Sequence, residues 1–202
     1  APVRITRTTI FKGRTAENEI SLYKLFRDIN KILSIHKSVP QRLGIVNVVP
    51  GVYNGFDGSL WEYIEGEKPQ PQGEFNQTLQ SNLYLLQAVA KLIGLTDLHS
   101  DNIIIKDDIP YCIDGEIFKI KLDNDHQTGL EMFYEFDETV VNNTIYKIIR
   151  KDEVLNLVSS FRRNINNFRI LLGSTAVFSD YTSTYGEKHI YIDNDDIGRA
   201  KI

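Results

Sequence analysis

Apolar residues change their spacing along the chain, and each change predicts an element. Val3 to Phe11 alternate loosely and are rich in β-branched types (Ile5, Thr6, Thr8, Thr9, Ile10), which predicts a strand. From Ala16 to Leu33 the period lengthens. Ile20, Tyr23, Leu25, Phe26, Ile29 and Leu33 recur at threes and fours, predicting a helix with Thr15 at its N-cap. His36 to Gly44, with Pro40, reads as a polar connector. Ile45 to Val49 reads as a short strand, followed by turn signals at Pro50-Gly51 and Asn54-Gly55 and a strand over Ser59 to Ile64. Glu65 to Lys68 breaks that strand, and Lys68 to Phe75 reads as loop. Thr78 to Leu95 carries the clearest helical stripe, Leu79, Leu83, Leu86, Val89, Ala90 and Ile93, stopped by Gly94. Ile103–Lys106 and Tyr111 to Ile113 flank Asp107-Asp108 and predict a hairpin. Leu122 to Gln127 reads as a polar loop and Leu130 to Phe136 is aromatic-rich. Asp152 to Phe168 reads as a helix, with Arg162 and Arg163 on its more polar side. The acidic run Asp193 to Asp196 lacks the Gly and closing Glu of a Ca²⁺ loop and reads as a turn. Strands early and helices later predict an α+β chain.

The stretch from Thr96 to Phe118 brings chemistry into this pattern. Asn102 follows Asp97 by five residues, and Asp114 follows Asn102 by twelve, at the end of the predicted hairpin. Any one of them alone reads as a loop cap or turn residue. Together, on a helix–loop–hairpin background, they match the parts of a protein-kinase centre. In such a centre Asp97 orients or deprotonates the attacking hydroxyl, and Asn102 and Asp114 hold Mg²⁺ on the ATP phosphates. His99 is a candidate beside them, either at the phosphates or supporting the loop, and Gly115 is expected to give the backbone freedom near the metal. The fold expected is a small two-lobed, kinase-like α+β domain with a reduced N-terminal lobe, residues 1–68, and a mainly helical lobe, residues 69–202.

The upstream strands then acquire candidate roles. Lys12, with Arg14 close behind, ends the first strand, where a small lobe presents its phosphate-binding cation; both also read as solvated turn residues. Glu17 and Glu19, on the following helix, are candidate partners for the lysine, or plain helix acids. Glu62 and Tyr63 precede a polar Gly-containing segment and are candidates for a hinge whose backbone pairs with adenine, though a plain hairpin strand uses the same residues. The Arg162–Arg163 pair is a solvated face or a place for peptide or phosphate docking.

Composition narrows the partners. A net charge of −4 gives no electrostatic reason to expect nucleic acid or an anionic membrane. No apolar stretch approaches the roughly 18 residues a membrane span needs, and no secretory signal pattern is visible. A cytoplasmic location is expected, with a secreted effector or toxin fragment as the other placement. Ala1 implies a chain that is processed, trimmed or cut from something longer. Cys112, the single cysteine, is expected to be a buried, inert thiol.

Thr-Asp-Leu-His-x-x-Asn-Ile-Ile at Thr96, followed by Pro-x-x-Ile-Asp-x-Glu at Pro110, resembles the dehydratase domain of class II lanthipeptide synthetases, the LanM type. Ile-Phe-Lys-Gly-Arg at Ile10 is similar to that family's Val-Tyr-Lys-Pro-Arg, and Gly58 to Ile64 to its Gly-x-x-Trp-x-Glu-Phe-Ile segment. The resemblance implies a kinase-like core that phosphorylates Ser and Thr of a peptide before eliminating phosphate. It implies that Lys12 contacts phosphate, that Asp97, His99 and Asn102 form the catalytic loop, that Asp114 is a metal ligand and that Glu116 is its neighbouring acid. Gly13 and Gly115 depart from the family's Pro and Leu. The family's Asp/His segment before the lysine strand, and the later Arg and Thr of its elimination step, have no counterpart in the matched residues, roughly 9 to 118. Phosphoryl transfer to a Ser/Thr-bearing peptide or protein is therefore expected more than dehydration. A small-molecule phosphotransferase of the aminoglycoside or choline kinase kind, and a pseudokinase binding module, are the alternatives.

Overall fold

A computed structural model describes residues 2–35, 41–70, 75–119, 122 and 126–165. It is mixed α+β: four helices accompany a four-stranded antiparallel sheet and a separate hairpin. The sheet runs β1 (Val3–Arg4), β2 (Thr9–Lys12), β4 (Phe56–Glu62), β3 (Val48–Tyr53) in spatial order. Helix α1 (Glu17–Ile35) separates β2 from β3. Helix α2 (Gln77–Ile93) leads through the candidate loop into the hairpin β5 (Ile103–Lys106) and β6 (Ile109–Cys112), and α3 (Glu138–Ile149) and α4 (Asp152–Ile165) follow.

The single strand expected over Val3 to Phe11 is two strands folded on each other. Short polar side chains turn the chain between them: the Thr8 amide donates to Thr6 Oγ1 at 3.1 Å and the Ile5 amide to Thr9 O at 3.0 Å. Pro50-Gly51, expected as a turn, lies inside β3. Proline is tolerated there because β3 is an edge strand. The turn falls at the other expected signal, Asn54-Gly55, where both φ angles are positive (51° and 81°), as a tight two-residue hairpin requires. Asp107-Asp108 turns the second hairpin with the same geometry.

Helix α1 starts without the expected Thr15 cap, whose buried Oγ1 has no hydrogen-bond partner. Its apolar stripe is as predicted. Leu22, Tyr23, Phe26 and Ile29 are at most 2% exposed, and Tyr23 stacks edge-on to Trp61 of β4 and donates from its hydroxyl to Cys112 O at 2.6 Å. One core thus joins α1, the sheet and β6 to the buried face of α2 (Leu79, Leu83, Leu86, Val89, Ala90, Ile93). Helix α2 is capped at both ends: Asn76 accepts from the Leu79 amide at 2.9 Å, and Gly94 ends it in the left-handed conformation.

Helix α3 has no counterpart in the sequence expectations. Its residues are rich in Val, Ile, Thr and Asn, weak helix formers. It is held by the Asp137 cap, which accepts from Thr139 and Val140, and by burial of Val141 and Ile148. The helix expected to reach Phe168 is described to Ile165. The acidic run at 193–196 lies outside the described residues, as do parts of the two loops expected over 68–75 and 122–127.

Candidate active site

Two fully buried leucines, Leu95 and Leu98, anchor the loop after α2 and leave Asp97 between them at the surface. Two backbone bonds fix its path, from the Thr96 amide to Ile117 O (3.0 Å) and from the Leu98 amide to Thr128 O (2.9 Å). Asp97 itself adopts a left-handed backbone, φ 64°, which turns its carboxylate toward Asn102. Asn102 Nδ2 donates to Asp97 O at 2.8 Å and to Asp97 Oδ2 at 3.2 Å. His99 Nδ1 accepts from the Asp101 amide at 3.2 Å, and its Nε2 lies 3.3 Å from Asn102 Nδ2 and 3.6 Å from Asp97 Oδ1. Asn102 also accepts the Ile113 amide at 2.9 Å, tying this loop to the end of β6. Burial pushes the Asp97 carboxyl up, the nearby Asp114 charge adds to that, and His99 and the Asn102 bond only partly oppose it.

The second half of the site is a knot of charge. Lys12 Nζ lies 3.1 Å from Asp114 Oδ1, 3.3 Å from Ile113 O and 3.8 Å from the centre of the Trp61 ring. Arg14 reaches three carboxylates from two segments: Glu19 at 2.6 Å, Asp114 at 2.6 Å and Glu116 at 2.9 Å. Burial disfavours the Arg14 charge, but Glu19, Glu116 and Asp114 together outweigh it and hold the guanidinium pKa above its usual value. Burial dominates at Glu19 and raises its carboxyl, against the pull of Arg14. Of the two helix acids proposed to meet Lys12, Glu19 meets Arg14 instead and Glu17 is exposed; the contact Lys12 makes is with Asp114. The hydroxyl of Ser59 steadies this end of β2 by donating to Arg14 O at 2.8 Å while accepting from Trp61 Nε1 at 2.8 Å.

Carboxylate oxygens of Glu19, Asp114 and Glu116 lie within 4.8 Å of one another; oxygen donors suit a hard divalent cation, but the Arg14 guanidinium pairs with all three, and only Asp114 is open enough to take one. Only Asp114 presents much of its side chain to solvent, 38%, against 12% for Glu116 and 1% for Glu19. Gly115 between the two acids does not adopt a glycine-only backbone angle. It is needed for space, since a Cβ there would lie 2.5 Å from Leu22 Cδ2 and 2.9 Å from Cys112 Sγ. Burial pushes that thiol up to about 12, so it is inert as expected.

A supporting network lies beneath the loop. Thr128, whose carbonyl pins Leu98, donates from Oγ1 to Gln87 Oε1 at 2.6 Å. Gln87 Nε2 donates to Glu131 Oε1 at 2.6 Å, and Glu131 Oε2 accepts the amides of Thr128 and Gly129 at 3.1 and 2.8 Å. Burial alone would raise the Glu131 carboxyl; these bonds outweigh it and hold it below the usual range. Gly129, at φ 101°, sits so close that a Cβ would lie 2.7 Å from the Leu98 amide. The one signal of this support in the sequence is Gly129 itself, in a stretch that otherwise reads as loop.

Two other expectations change. Glu62 and Tyr63 have their amides engaged by Asn47 O and Thr8 O, both at 2.8 Å, and Glu62 Oε2 accepts from Asn47 Nδ2 at 2.8 Å. Those amides are therefore not open to an adenine edge. Arg162 turns inward to donate to Ile93 O and Lys119 O at 3.0 and 2.6 Å, binding the end of α2, while Arg163 is exposed. No described helix is long and apolar enough to cross a membrane. Comparison of the chain with protein-family models, curated proteins and solved structures finds no match.

Proposed function

We propose that this chain transfers the γ-phosphoryl group of ATP to a hydroxyl, with Ser or Thr of a peptide or protein as the preferred acceptor. The observation that carries the reading is the meeting of Lys12 and Asp114 at 3.1 Å, from positions 102 residues apart, next to a loop in which Asn102 holds Asp97. Unlike charges so placed recur where phosphoryl transfer needs a clamp on the phosphates and an oxygen ligand for a cation. The kinase-like arrangement belongs to the same proposal, with the sheet and α1 as a reduced small lobe. The Ser/Thr preference rests on the resemblance to LanM dehydratase domains.

In this reading Asp97 accepts the proton of the attacking hydroxyl as its oxygen bonds to the γ-phosphorus. The bond from that phosphorus to the β–γ bridging oxygen breaks, and ADP carries the electron pair away. The upward shift of Asp97 suits a base that must hold the proton and then release it to solvent. Asn102 holds its carboxylate in place, with His99 Nε2 beside it. Lys12, whose ammonium lies over the Trp61 ring, exchanges its contact with Asp114 for a phosphate oxygen. Asp114 and Asn102 would hold Mg²⁺, with Glu116 close by; bound there, the ion supplies positive charge to the nucleotide phosphates.

The test is incubation with Mg²⁺ and γ-labelled ATP in the presence of the protein alone, a Ser/Thr peptide pool and a panel of small alcohols. Label transfer that is lost in Asp97→Asn and Asp114→Asn is expected. Nucleotide binding without turnover on any acceptor would sink the enzyme reading.

A further inference from the structure

Arg14 and Glu19 were candidates for direct contact with phosphate and with Lys12, yet they meet each other. Arg14 has 13% of its side chain exposed and Glu19 has 1%. The guanidinium is planar, so fixing one nitrogen fixes the direction of the others. Nη1 is fixed twice, by hydrogen bonds to Glu19 Oε1 (2.6 Å) and Thr15 O (3.3 Å), with Glu116 Oε2 2.9 Å away as an ion pair. The Arg14 backbone is fixed as well, through Ser59 and Trp61. Nη2 then meets Asp114 Oδ1 at 2.6 Å from a set direction. Of the three carboxylates around Arg14, Asp114 is the one open to solvent.

We propose that Glu19 is a positioning residue for Asp114, acting through Arg14 to set how strongly that carboxylate is held by protein cations and how freely it takes a divalent ion. This rests on the phosphotransferase reading. Three carboxylates share the charges of Lys12 and Arg14, so Asp114 is incompletely neutralised. Without the Glu19 charge, Arg14 is left with Glu116 and Asp114 and draws Asp114 in more tightly. The cation site is then weaker although none of the ligands assigned to it has changed.

The experiment titrates Mg²⁺ against the protein at a fixed concentration of a non-hydrolysable ATP analogue. The fluorescence of Trp61, the single tryptophan, reports binding beside Lys12. Glu19→Gln is expected to raise the half-saturating Mg²⁺ concentration roughly tenfold, the lower range for removing an outer partner of a metal ligand. Analogue affinity at saturating Mg²⁺ should match wild type, a recovery that a general structural lesion does not give. Glu17→Gln, exposed on the same helical turn, should leave the titration unchanged. If Glu19→Gln does not fold, Arg14→Lys replaces it: it keeps the charge but loses the fork that reaches Asp114 at 2.6 Å, so Asp114 is held less tightly and the half-saturating Mg²⁺ concentration should fall instead. Equal Mg²⁺ dependence in wild type and variant overturns the positioning role alone. A wild type with no Mg²⁺-dependent response to the analogue overturns the phosphotransferase reading and this inference together.

Discussion

Glu131 and Glu19 are both withdrawn from water, yet their carboxyls shift in opposite directions, down for Glu131 and up for Glu19. The difference lies in who else uses their partners. Glu131 takes hydrogen bonds from Gln87, Thr128 and Gly129, and among carboxylates those donors serve it alone. Glu19 depends on one guanidinium that also serves Asp114 and Glu116. A carboxylate held by several dedicated dipoles is satisfied and settled. One held by a shared charge feels each change in its neighbours. The floor beneath Asp97 is of the first kind and the knot around Asp114 of the second, which suits a support on one side and an exchange of ionic partners on the other.

The largest effect should come from the residue on the border between them. In the proposed reaction Asp97→Asn removes the base while keeping a side chain of the same shape beside Asn102. Label transfer is expected to fall by roughly 10²- to 10⁴-fold, with the circular dichroism spectrum unchanged. A variant with wild-type transfer would remove Asp97 from the chemistry.

Breaking the settled side comes next. Glu131→Ala leaves the Gln87 amide and two backbone amides without their acceptor, a loss of about 2 kcal/mol. For a chain of this size that lowers the unfolding midpoint by roughly 4–8 °C, read by calorimetry, and transfer should decline with it because Thr128 pins the loop.

Acid sharpens the contrast further. With its folded pKa lowered, Glu131 contributes stability that is fully present above the ordinary carboxylate pKa and lost as pH falls through the lowered value. The gap in unfolding midpoint between wild type and Glu131→Gln should therefore be flat near neutrality and close only on the acid side of the usual glutamate range. A gap that instead widens toward acid would contradict the assignment.

The smallest effect is expected at the surface. Lys68 and Asp101 pair at 2.5 Å but are 57% and 69% exposed. Solvent and salt screen such a pair, so Lys68→Ala should leave the thermal midpoint and its salt dependence unchanged within error.

What the sequence made legible follows from locality. The stripe and Gly94 stop of α2, the β5–β6 hairpin and its Asp107-Asp108 turn are written in neighbouring residues, as is the spacing that brings Asn102 to Asp97. The partners of Arg14 are not. Glu19 lies five residues on and Asp114 a hundred; the helical period puts Glu19 on the face of Leu22, Tyr23 and Phe26 and Glu17 off it, but it does not name Arg14 as the partner. The Gln87–Thr128–Glu131 network joins residues 41 and 44 positions apart through ordinary polar side chains. Helix α3 escaped because tertiary burial overrides its β-branched composition, and Pro50 misled because an edge strand accepts what an inner strand rejects.

The left-handed backbone at Asp97 decides how that position can be probed. Few side chains accept φ 64° without strain; Asn is among those that do, Gly is free there, and β-branched residues are not. A saturation library at this codon would therefore sort first by backbone handedness and only then by charge. An alanine scan would confound the two, whereas the Asp-to-Asn pair separates them.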